Sequence, residues 1–517
     1  MKYIANVLGS IVCVLAVATG GLQGALADSK TYTFVTSFDI KDWDPAIIYS
    51  SEVQTLLNVY ETLVFYDAET GDIHPRLATS WGVSDDGLTW EFKLREGVLF
   101  HDGTPMTAGA VKQAFDRTIA MGQGGSYNWI NVTGIVAVDD HTLVIETSAP
   151  TSIDLIASAQ YGAFVYSPKA AEMGTDWFME GNAAGTGPYQ VTQWVRGQQV
   201  ILEKFPNYWG GWDGDEFDRA ILRIVEEIST QIQMLRAGEA DLIMSTAPTD
   251  MLDSLSQEEG ISVGVYDSWT SLPMQINNAK YPTDNLKFRQ ALRHLVDHEA
   301  IASQIFGGYA SISLGPVPQS MWGAVKFEPP GYDPGKARQL LEESGIPEAD
   351  WKVSYSVYTG RQEIRQIAEL FQALAAHAGV TVEIQTGEWG VLWDKQRTMS
   401  TAANIFALSF WPDYATPASW LLLGYRTEDP VVFNFSYFNN PTFDALLDEG
   451  LALEASNRER ATELYLEAQK IIYDEVAVIP LVDQERTVLY RSEIDGVTFS
   501  PAYETIFIRD LRRLGSV

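Results

Sequence analysis

Apolar residues recur along this chain with two alternating periods, one near two residues and one near 3.6. Residues 32–38 read as an opening strand. Residues 51–63 carry apolar side chains at helical spacing, with Ser50 or Ser51 placed to cap a helix there. Residues 88–94 alternate apolar and polar positions, which predicts a half-buried strand. Residues 107–120 predict a helix that Thr107 caps and that gathers Val111, Ala114, Phe115 and Thr118 on one face. Further strands are expected at 142–147, 189–194 and 200–205, the last two joined by a turn at Arg196-Gly197-Gln198. Helices follow at 230–237, stopped by Gly238, at 285–305, stopped by Gly307-Gly308, and at 334–344 between Asp333 and Gly345. The helix expected at 364–378 ends at Gly379 and leads into a strand at 380–385. A final helix at 457–475 precedes extended chain at 480–490. Strands and helices alternate throughout, so mixed α/β lobes are expected.

The N-terminal end breaks this pattern. Lys2 precedes an apolar run centred on residues 11–18, and Ala25-Leu26-Ala27 is a small-x-small cleavage site, the layout of a secretory leader. Cleavage is expected after Ala27, leaving an exported, periplasmic protein. Cys13 is the only cysteine and lies in the leader, so disulfides, thiolate metal sites and a cysteine nucleophile are excluded after export. The remaining chain of about 490 residues exceeds one ordinary core, so two or three domains are expected. Against 35 basic residues stand 68 acidic ones, a net charge of -33. Such a surface repels nucleic acid, which removes it from the partners.

Several blocks occur in a fixed order. They are Leu77-Ala-Thr-Ser-Trp81, the run from Ser84 to Gly97 with Val98-Leu-Phe-His-Asp-Gly-Thr-Pro105, Gly185-Thr-Gly-Pro-Tyr189, Asn207-Tyr-Trp-Gly210, Phe288-Arg-Gln-Ala-Leu292, Tyr332-Asp-Pro334, Trp411-Pro-Asp-Tyr414 and Val478-Ile-Pro-Leu481. Together they resemble the family 5 extracellular solute-binding proteins of ABC importers, the peptide/nickel-binding group. The resemblance implies an α/β fold of the periplasmic-binding-protein type II kind, with two large lobes, a hinge and an inserted third domain. Lobe I would comprise 28–72, 186–278 and 489–517, lobe II the insertion 73–185, and lobe III 279–488. The two crossings would lie at 275–278 and 481–485. It also implies a monomer that takes a small-molecule or peptide ligand, without cofactor, to a membrane-embedded permease with cytoplasmic ATPase subunits.

The resemblance carries site residues with it. Asp413 matches the acidic residue that pairs with a peptide's α-ammonium, and a carboxylate in a water-poor cleft suits that task. Pro412 lacks an N–H, so main-chain pairing with an extended ligand falls to Ser409, Phe410 and Trp411. Tyr49, Ser50 and Ser51, after Asp44-Pro45, are expected to face them from lobe I. Trp389, Trp411 and Trp269 are expected to line the cleft, and Arg361 lies near the position where dipeptide binders hold the ligand carboxylate. An arginine that some oligopeptide binders use is replaced by Ala407. His294 and His298 lie at i, i+4, but no third ligand has suitable spacing, so no metal is expected. The many tryptophans keep a second reading open, a receptor of the same fold for an oligosaccharide, an opine or a metal chelate. No Gly-x-Ser-x-Gly or His-Glu-x-x-His sequence occurs, so an enzyme is not expected.

Overall fold

The structure, a computed structural model, describes residues 30–515 apart from Thr246. Cys13 and the cut expected after Ala27 lie outside these residues. The main sheet has eleven strands. Two long antiparallel strands, Ile261–Ile276 and Val478–Arg491, run through its middle. At one end, Ile261–Ile276 pairs with Ile405–Ala407, which leads through Lys352–Tyr358 to Thr381–Gly387. At the other, Val478–Arg491 pairs with Leu242–Ile243, which leads through Thr31–Thr36 and Arg219–Ile224 to the hairpin of Gln199–Lys204 and Tyr189–Val195. The central ladder shifts register between Asp267 and Ser271, opposite Glu485 and Asp483. It shifts again between Leu272 and Pro273, after which Gln275 pairs with Val478 and Phe406.

A separate four-stranded antiparallel sheet holds Ala78–Val83, Thr89–Leu94, Thr142–Thr147 and Val132–Asp139. Thr89–Leu94 alternates exposed and buried positions without a slip. Its inward face packs with the helix Ala108–Met121 in a second core that includes Trp90, Phe92, Val111, Phe115 and Trp129. Thr107 caps that helix by accepting from the Ala110 N–H at 3.3 Å. Asp333 and Asn457 cap the helices Pro334–Glu343 and Arg458–Glu475 in the same way.

Two expected helices break. Of residues 51–63 only Val53–Leu56 is helical, and neither Ser50 nor Ser51 makes a side-chain cap. Carbonyls that would continue the helix are taken by distant donors: Asn58 by the Tyr189 N–H, Val59 by that of Gly187 and Glu61 by that of Val165. Gly185 and Gly187 permit this approach, because a Cβ on either would lie 2.0 Å and 2.7 Å from the Val59 carbonyl oxygen. The buried Glu61 carboxylate then accepts from Arg76, Thr186, Tyr208 and Trp209. Two of the sequence blocks, Gly185–Tyr189 and Asn207–Gly210, thereby converge on one acidic residue. The helix expected at 285–305 ends at Arg293 and resumes at His298, after Asp297 caps Ala300. His294 and His298 therefore do not share one helix face, and His298 bonds the Pro480 carbonyl at 3.0 Å.

Candidate functional site

A cleft of about 1230 Å³ opens beside the central strands. Tyr49, Ser50 and Ser51 line one wall, Arg361, Ser409 and Trp411 another, and the strand segment 484–487 forms part of the floor. Polar and charged side chains converge among aromatic ones, the composition expected of a solute pocket.

The loop carrying Tyr49 is anchored by Asp44, whose buried carboxylate takes both Arg117 Nη atoms at 2.7 and 2.6 Å and the Thr175 hydroxyl at 2.8 Å. Gly124 and Gly125 pack against Ile47 and Tyr161 so closely that a Cβ would reach backbone at 2.9 and 2.5 Å. That approach brings Tyr127 beside Tyr49. Both phenols then meet Asp413. Tyr49 Oη donates to Oδ1 at 2.8 Å, Tyr127 Oη donates to Oδ2, and the two phenol oxygens lie 2.7 Å apart. Each phenol has one proton, so the two cannot supply all three contacts while Asp413 is ionised. Asp413 is 4% exposed and has no cationic partner among the described residues. Burial pushes its pKa above the ordinary carboxyl range, against the opposing pull of the tyrosine bonds. Two of its roughly four lone-pair sites remain for another donor. Tyr127 had no signal in the periodicity of its segment; the Gly-Gly pair just before it marks the close approach that places it here.

Ser409 ties the opposite wall together, its hydroxyl meeting Arg361 Nη2 at 3.3 Å and Gln484 Nε2 at 3.2 Å. Arg361 is also paired with Glu363. Phe410 exchanges both main-chain bonds with Ser271 at 2.9 Å, so its amide is not free for a ligand. Its side chain is buried behind the wall. The main-chain groups of Ser409 and Trp411 make no such bonds among the described residues. Trp411 is 40% exposed and lines the cleft. The other two tryptophans do not. Trp269 is 2% exposed and packs edge-on against Tyr66, because its strand turns that face into the core. Trp389 is half-exposed but packs edge-on against Tyr358 and tilted against Trp393, outside the lining.

This sheet topology, with long strands passing between two halves beside a polar cleft, defines a type II periplasmic binding protein. Residues 72–429 match the bacterial extracellular solute-binding proteins, family 5, and the chain belongs to that family. It is 29% identical over 496 residues to a probable D,D-dipeptide-binding periplasmic protein of Escherichia coli K12, covering 94% of this chain and 92% of that one. Its fold is similar to that of a dipeptide-binding protein from Pseudoalteromonas solved with Met-Leu, with a TM-score of 0.77, 24% identity and coverage of 93% and 100%. It is also similar in fold to NikA from Brucella suis solved with Fe(III)-EDTA, with a TM-score of 0.82, 19% identity and coverage of 93% and 99%. Among the described residues no helix is long and apolar enough to cross a membrane.

Proposed function

We propose that this protein captures a short peptide or peptide-like amine in the cleft and delivers it, unaltered, to a membrane-embedded ABC permease. The carrying observation is Asp413, a carboxylate buried behind the cleft-lining Tyr49, which two phenols orient and no cation among the described residues neutralises. A ligand ammonium supplies both the balancing charge and donors for the remaining carboxylate lone pairs. The unpaired main-chain groups of Ser409 and Trp411 add a place for extended backbone, as in strand addition. A neutral sugar would leave the carboxylate charge unpaired, which weighs against the oligosaccharide reading.

In this reading lobe I is 28–72, 186–278 and 489–517, lobe II is 73–185 and lobe III is 279–488. The flexing point would lie at the two crossings, 275–278 and 481–485, and the register shifts at Asp267–Ser271 and Leu272–Pro273 just before the first support it. The protein acts as a monomer in the periplasm after cleavage behind Ala27, and ATPase subunits drive its permease. Calorimetry with di- to pentapeptides, their N-acetylated forms, sugars, opines and metal chelates tests the proposal. Binding that needs a free amine is expected, and tight binding of sugars or chelates with no response to any free peptide would reject it.

A further inference from the structure

Among the described residues, Arg361 and Arg486 are the two guanidinium groups that line the cleft. Arg361 is already paired, with Glu363 beside it and Ser409 across from it. Arg486 stands differently. It lies on the floor strand, donates Nη2 to the Met244 carbonyl and rests over the Phe499 ring at 5.6 Å. Its Nε is buried with no acceptor, and it makes no ion pair among the described residues. Glu504 also lines the cleft and acts on Arg486 at a distance, but its carboxylate takes the Thr270 hydroxyl at 3.3 Å and forms no salt bridge with the guanidinium. A desolvated cation with donors to spare is costly unless an anion completes it.

We infer that Arg486 is the subsite for the ligand's carboxylate, so that the cleft selects zwitterionic ligands, with the ammonium at Asp413 and the anionic end at Arg486. This rests on the proposed ammonium seat. It assigns the carboxylate to the floor strand rather than to Arg361. A guanidinium suits the task because its planar fork matches a carboxylate, which a lysine cannot reproduce.

The test is calorimetry with alanine di- to pentapeptides as free acids, C-terminal amides and N-acetyl derivatives, on the full-length protein and on Arg486→Gln, Arg486→Lys, Arg361→Gln and Asp413→Asn. Amidation is expected to weaken wild-type binding roughly 30-fold or more. Arg486→Gln should bind acid and amide alike, Arg486→Lys should show an intermediate penalty, and Arg361→Gln should keep the full one. Melting curves identify a variant that has failed to fold, in which case Arg486→Lys carries the comparison. If the amidation penalty disappears in Arg361→Gln and survives in the folded Arg486 variants, the inference is overturned while the ammonium seat stands. If N-acetylation costs nothing, or no free peptide binds at all, the ammonium seat fails and the inference falls with it.

Discussion

Asp413 and Glu454 are both buried acids, 4% and 2% exposed, and both reach side chains far away in sequence. They are connected through one short segment, since Thr416, three residues after Asp413, donates its hydroxyl to Glu454. Their surroundings differ. Asp413 is held by two phenols, one of them the cleft-lining Tyr49, and has no nearby cation among the described residues. Glu454 lies away from the cleft, held by Thr416 and by Ser152 at 3.4 Å, with the charge of Arg458 acting on it. Burial alone therefore does not mark a ligand seat. What sets Asp413 apart is that no cation among the described residues balances it and that one of its phenol partners, Tyr49, lines the cleft.

The sharpest way to break this comparison is to neutralise each acid and read affinity. Asp413→Asn should weaken binding of a free-amine peptide by about 2–5 kcal/mol, the usual cost of breaking a desolvated charge pair. Glu454→Gln should leave affinity nearly unchanged by calorimetry. Equal losses would show that Asp413 is only another buried structural tie. The pH dependence of binding follows the same logic. Because the Asp413 pKa is raised in the free protein, capturing a cation requires the carboxylate to ionise. Affinity should fall on acidification through that raised pKa, with proton release on binding, and Asp413→Asn should show neither effect.

Stability should separate the two acids next. Burial, aided by the charge of Asp154, pushes the Glu454 pKa up to about 7. The folded state then holds a proton that the unfolded chain has lost, so stability falls as pH rises from the ordinary carboxyl range through about 7. The loss is at most on the order of 3 kcal/mol. Asp483, pushed up to about 6 by burial, adds a loss of the same sign. The difference between wild type and Glu454→Gln isolates the first. Melting temperatures measured from pH 5 to pH 8 should decline less steeply in Glu454→Gln, and parallel profiles would remove Glu454 as the cause.

How much of this was readable from sequence follows from where the determining contacts lie. Helices with a local cap, at Thr107, Asp333 and Asn457, were readable because their starting signals sit within three residues of the backbone they satisfy. The segment 51–63 was misread because its carbonyls bond donors more than a hundred residues away, and no local period reports that. The resemblance singled out Ser409, Trp411 and Arg361, which line the cleft, and Asp413, whose partner Tyr49 lines it. Trp389 was assigned to the cleft by the resemblance, because it follows Glu388, and Trp269 was expected to join it, whereas burial on one strand face and edge-on packing against Tyr358 decided their places. Arg486 gave no signal, since nothing in its neighbours tells that Glu504 approaches without pairing.

Smaller effects sharpen the comparison further. Tyr127→Phe removes one of the two donors that orient Asp413, and should cost about 1.5–3 kcal/mol in affinity, the range for a hydrogen bond to a charged group. Tyr49→Phe should act alike, and an unchanged dissociation constant in both would mean that the ligand ammonium replaces the phenols instead of joining them.

Ser152→Ala is the corresponding change at Glu454, and its effect should be the smallest. The Ser152 hydroxyl approaches Glu454 at 3.4 Å, near the outer limit of a hydrogen bond. The Thr416 bond remains when it is removed. A loss of about 0.5 kcal/mol in stability is expected, the low end for a single intramolecular hydrogen bond. It should appear only above the Glu454 pKa of about 7, where the acid is ionised and needs its donors. Urea unfolding of wild type and Ser152→Ala at pH 5.5 and pH 8 measures this. A difference at pH 8 that vanishes at pH 5.5 fits a carboxylate held by neutral donors, whereas an equal difference at both would mean that Ser152 acts through packing and that the Glu454 charge is carried by Arg458 alone.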